Sequence, residues 1–209
     1  MSFAPALALP HPEAKTPSAV KNELTLAQLK AAVKNPCNPS TQPECTPLEQ
    51  ALGPLQRTFE EYKIYTPGQQ AAAIAIMAFE SGGFAYKTNL NPTNYGQGTY
   101  AQMQYPSIEK YVSSIKALSS KFQALVKPGT TVTDGAVKNK VLKLVTSNLD
   151  YCFGAAPWYM SNKATCDPAV FDGLSKGTDE AYKTYLSKCI NTGIDARMQT
   201  WHDAIAALQ

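Results

Sequence analysis

Glu80 follows an unbroken apolar run, Ala71-Ala72-Ala73-Ile74-Ala75-Ile76-Met77-Ala78-Phe79, and is followed by Ser81, Gly82, Gly83 and Phe84. A carboxyl placed there is anchored to a core rather than to a solvated face. Desolvation and the negative end of a helix dipole both disfavour its charge. A Glu so held is expected to keep its proton near neutral pH and to act as a general acid. The plain alternative is a helix-end Glu whose carboxylate reaches into water.

A second stretch, Asn94-Tyr95-Gly96-Gln97-Gly98-Thr99-Tyr100-Ala101-Gln102-Met103-Gln104, suits a cleft wall. Glycines let a backbone come close to a ligand, and amide and hydroxyl groups match the donors and acceptors of N-acetylated sugars. Tyr95, Gln97, Thr99 and Gln104 within it, and Tyr86 ahead of it, are the expected binding residues, with tyrosine faces stacking on sugar rings. The plain reading is a surface loop of turn formers. A general acid acting on a sugar linkage would want a second carboxylate, and Asp150 is the candidate, set against a simpler role as a helix cap. His11 and His202 have no Ser or Cys motif beside them, so no nucleophilic triad is expected. No spacing resembles a zinc site, and such chemistry implies neither a metal nor an organic cofactor.

Composition narrows the setting. The chain has 209 residues, 44% hydrophobic and 17% charged, with eleven Tyr and two Trp. A net charge of +3 from scattered lysines gives no nucleic-acid footprint. No apolar stretch approaches a membrane span. Of five cysteines, Cys37 and Cys45 sit in a Pro/Asn/Thr-rich loop that suits a local disulfide, and Cys166 and Cys189 make a second candidate pair. Cys152 is then left over as a small apolar residue. The alternative is five free thiols in a reducing compartment.

The positioning elements are helices, and the expected fold is mainly α. Residues 1–22 read as a disordered or draped arm, too Pro-broken for a signal peptide, and 23–209 as the folded domain. Capping boxes at Thr25-Leu26-Ala27-Gln28, Thr46-Pro47-Leu48-Glu49 and Thr66-Pro67-Gly68-Gln69 open three helices. The third, apolar all round, must lie at the centre of a bundle. Further helices are expected at 107–126, 134–149, 155–161, 168–174, 179–190 and 194–208, with room for a small hairpin between Phe84 and Met103.

Glu80-Ser81-Gly82-Gly83-Phe84, followed by Gly96-Gln97-Gly98-Thr99 and Met103-Gln104, resembles motifs of the lysozyme and lytic-transglycosylase superfamily. The stretch from Phe153-Gly154-Ala155-Ala156-Pro157-Trp158-Tyr159 through Cys166, Gly177, Tyr185, Cys189, Arg197 and Trp201 is similar to secreted fungal lysozyme-like muramidases. The resemblance implies a lysozyme-like helical bundle, Glu80 as catalytic acid and a Cys166–Cys189 pair. It implies a secreted, monomeric muramidase acting on peptidoglycan. A non-catalytic glycan-binding effector and a chitin-type hydrolase are the alternatives.

Overall fold

A computed structural model describes residues 23–209; the expected arm 1–22, with His11, lies outside the described residues. The fold is mainly helical. Its elements run α1 (Leu26–Ala32), α2 (Leu48–Glu61), α3 (Pro67–Ser81), α4 (Tyr105–Ser114), α5 (Ser119–Leu125), α6 (Gly135–Thr146), α7 (Leu149–Ser161), α8 (Pro168–Gly173), α9 (Asp179–Tyr185) and α10 (Asp195–Leu208). A π turn, Leu186–Ile190, continues α9. In place of a hairpin there are two isolated bridges, Thr88 with Gly98 and Gly98 with Met103.

The central helix follows from its sequence. Thr66 caps α3 by accepting from Gln69 N–H, Gln69 returns the bond, and Pro67 occupies the first turn. Residues Ala71 to Met77 are all buried, so α3 has no solvated face. Helix α10 packs along α3, α2 packs against α7, and α1 lies across α10. Trp201 on α10 is fully buried, stacks on Tyr182 at 4.5 Å, and donates to Asp179. Trp158 packs on Tyr111 in a second apolar cluster.

Three local expectations change. Pro47, not Thr46, is the residue before α2, and no side chain caps that helix. The Thr46 hydroxyl is turned into the core, where it accepts from Tyr100. The expected helix 107–126 breaks at Ile115, whose ψ of 101° is extended. The short helix expected at 155–161 begins instead at Leu149, capped by Asn148, and keeps Pro157 inside it.

Two disulfides, Cys37–Cys45 and Cys166–Cys189, cross-link the fold, and Cys152 is free and buried. Burial pushes the Cys152 thiol up to about 12 and the Tyr62 phenol to about 12. Both shifts favour the protonated folded state, so the unfolded chain gives up these protons first as pH rises. Stability from these groups is therefore full below about pH 9, near the ordinary thiol value, and is lost as pH climbs towards 12. At pH 8 a thiol reagent is expected to leave Cys152 untouched in the folded protein and to modify it promptly in denaturant. Modification of the folded protein at the denatured rate would refute that core position.

Candidate functional site

The C-terminal end of α3 is built by its own residues. Gly82 and Gly83 take left-handed φ values of 63° and 68°. A side chain at Gly83 would meet the Asn35 carbonyl oxygen at 2.0 Å. The Ser81 hydroxyl donates to Met77 O at 2.7 Å and accepts from Phe84 N–H at 3.0 Å. Phe84 itself has φ 70°, held because its ring is fully buried against Tyr100 and Phe153. The disulfide loop buttresses the turn: Cys37 N–H donates to Gly83 O at 2.9 Å, and Thr46 N–H to Phe84 O at 3.1 Å. Helix termination alone therefore accounts for the residue types Ser-Gly-Gly-Phe.

Glu80 points into a cleft of about 500 Å³. One wall is the 97–104 turn, closed by paired bonds between Gly98 and Met103. That turn is strained, with Thr99 at φ 62° and Gln102 at φ 46°, the former unusual for a β-branched residue. Gln102 holds it, donating to Tyr86 O and Thr99 O and accepting from Asn89. Opposite, the π turn ends at Asn191 in a left-handed conformation and brings Cys189, Ile190, Asn191 and Thr192 to the cleft. π turns commonly mark functional positions.

Arg197, in the first turn of α10, gives the cleft its charge pair. Its Nε and Nη2 both donate to Glu80 Oε1, at 2.9 and 2.6 Å. Its Nη1 donates to Gly193 O, and the guanidinium lies 4.5 Å from the Phe79 ring centre. The two side chains are 15% and 21% exposed, Arg197 and Glu80 respectively. The isolated carboxyl expected from sequence thus has a counter-charge. The other lining groups are uncharged amides, hydroxyls and small apolar side chains.

The expected site residues divide. Gln97 and Gln104 line the cleft with Glu80 and also line an adjoining basin of about 360 Å³. Tyr95, half exposed, belongs to that basin only. Thr99 is fully buried, its N–H donating to Lys87 O, and lines neither space. Tyr86 lies against the Gly82 turn, outside the lining. Asp150 is not at the cleft: it pairs with Arg57 at 2.6 Å. Sequence reasoning gave no site role to Arg197, Tyr185, Asn191 or Thr192, and placed Gln102 only within the cleft-wall stretch. The usable signal for Arg197 was a partly buried Glu in need of a cation.

Comparison with known proteins changes the functional frame. No family model matches the chain. Over 168 residues, 79% of the chain, it is 33% identical to a protein of Fusarium oxysporum (strain Fo5176) named bifunctional dioxygenase (DOX)-epoxy alcohol synthase (EAS). The chain spans only 12% of that relative's length. This relationship overturns the resemblance to lysozyme-like muramidases. With it go the muramidase activity, the chitin and glycan-binding alternatives and the peptidoglycan partner. The physical reason for the false resemblance is local: the Glu80–Phe84 motif is what ends α3, and Thr99 of the second motif is buried packing.

Proposed function

We propose that the cleft is an acid–base site for a small oxygenated organic molecule, with Glu80 as its proton-transfer group. The observation that carries this is the Glu80–Arg197 pair, set in a cleft otherwise lined by uncharged polar and apolar groups. The relative's name joins an oxygenase to an enzyme making epoxy alcohols. Dioxygen chemistry is cofactor work, and the donors here do not fit a metal. Among the described residues no three His, Cys, Asp or Glu side chains gather to bind one. His202 pairs with Asp179 away from the cleft lining, Cys152 is core, and Cys189 is in a disulfide. No oxygen-activating step is therefore assigned to these residues.

The supported chemistry is the opening of an epoxide by water. Glu80 takes a proton from the attacking water as the ring C–O bond breaks, and then returns that proton to the ring alkoxide, so that epoxide and water leave as a diol. Arg197 fixes the carboxylate through Oε1. The two disulfides support an oxidising, extracellular setting. Among the described residues no helix is long and apolar enough to cross a membrane.

The test offers the purified chain a simple epoxy alcohol and follows water addition by mass. Wild type is expected to form the triol, and Glu80→Gln to slow it by about 10²–10⁴-fold, the usual worth of a positioned acid or base. Equal rates for the two proteins, or no rate above buffer for wild type, would dismiss the reading.

A further inference from the structure

Among the described residues, three buried phenol hydroxyls, on Tyr105, Tyr182 and Tyr185, have no hydrogen-bond partner. Unpaired buried donors cost stability, so each asks for a reason. Only Tyr185 also lines the Glu80 cleft. It is the last residue of α9, where the π turn redirects the chain into the cleft wall. Across from it, Arg197 binds Glu80 only through Oε1, and Glu80 Oε2 accepts from no described residue. The residues lining the cleft thus include one with a donor lacking an acceptor, Tyr185, and one with an acceptor lacking a donor, Glu80.

We infer that the Tyr185 hydroxyl and Glu80 Oε2 form one subsite for a hydroxyl-bearing ligand carbon, Tyr185 donating to the ligand oxygen and Glu80 accepting from its O–H. A hydroxyl satisfies both groups at once; an alkene, an alkane or a carboxylate does not. Burial, reinforced by the neighbouring phenols of Tyr182 and Tyr159 and by the Glu80 carboxylate, holds the Tyr185 phenol well above its ordinary range, so it remains a donor at working pH. The subsite rests on reading the cleft as a site for oxygenated molecules, and adds which atoms choose the ligand.

Tyr185→Phe removes one oxygen and no packing. Titration calorimetry with an epoxy alcohol, and with the epoxide lacking the hydroxyl, is expected to show about tenfold weaker binding of the alcohol only, the worth of one hydrogen bond. The melting temperature is expected to equal or exceed that of wild type, since an unpaired donor is lost. Tyr182→Phe, away from the cleft lining, is expected to bind like wild type. Should Tyr185→Phe fold poorly, tyrosine-Cζ-labelled wild type supplies the same readout, the Tyr185 signal moving on addition of the alcohol but not of its deoxy analogue. Wild-type binding that Tyr185→Phe leaves unchanged, or a Tyr185 signal that stays still, overturns the subsite alone. Absence of any binding by wild type overturns the epoxide reading beneath it.

Discussion

Arg197→Met is expected to lower stability by about 2–3 kcal/mol, somewhat below the cost of breaking a fully buried pair. For a folded unit of this size that corresponds to a melting temperature about 5–10 °C lower. The loss comes from what remains. Glu80 is only 21% exposed and sits on a helix with no polar face, so its charge is left without compensation. Two further contacts disappear, the bond to Gly193 O and the stacking on Phe79. Glu80→Gln is expected to cost less, because the amide oxygen still accepts from the guanidinium. Combining it with Arg197→Met is expected to recover about 1 kcal/mol or more relative to the sum of the two, by urea denaturation. Additive losses would mean that α3 and α10 are joined by apolar packing alone.

The same pair shows what the sequence could and could not convey. The chain has two arginines, Arg57 and Arg197, and each pairs with one of the two carboxylates marked as candidates, Asp150 and Glu80. Chemistry-bearing carboxylates and paired carboxylates look alike in one dimension, because the partner lies 93 or 117 residues away. Local signals were more legible. The Thr25 and Thr66 capping boxes and the all-apolar run of α3 each depend on neighbours within four residues, and all three stand in the structure. Thr46 offered the same local pattern, yet Tyr100, 54 residues on, captured its hydroxyl. Gln97 and Gln104 were placed at the cleft by composition, whereas Thr99 turned inward because a strained turn required it. The family resemblance failed for a related reason: residues that end a helix in a left-handed turn recur wherever such a turn is needed.

Removing the Cys166–Cys189 bridge by paired Ser substitutions is expected to cost about 3 kcal/mol, and removing Cys37–Cys45 somewhat less, by the loop-closure entropy of the unfolded chain. The bridges span 23 and 8 residues respectively, so the first constrains the larger loop. Their effects on the cleft are expected to differ from their effects on stability. Cys189 lines the cleft within the π turn, and its carbonyl accepts from the Tyr159 hydroxyl at 3.2 Å. Loss of that bridge frees the wall formed by Ile190, Asn191 and Thr192, and hydrogen exchange is expected to rise there first. Cys37–Cys45 acts from behind, through the loop that holds Gly83 and Phe84, and its loss is expected to loosen the turn that aims Glu80. The epoxide turnover proposed for the cleft should then fall for both double variants, with the stability loss larger for Cys166–Cys189. Urea denaturation ranks the two, and a larger loss from the shorter loop would mean that native contacts made by residues 37–46, not chain entropy, govern the order.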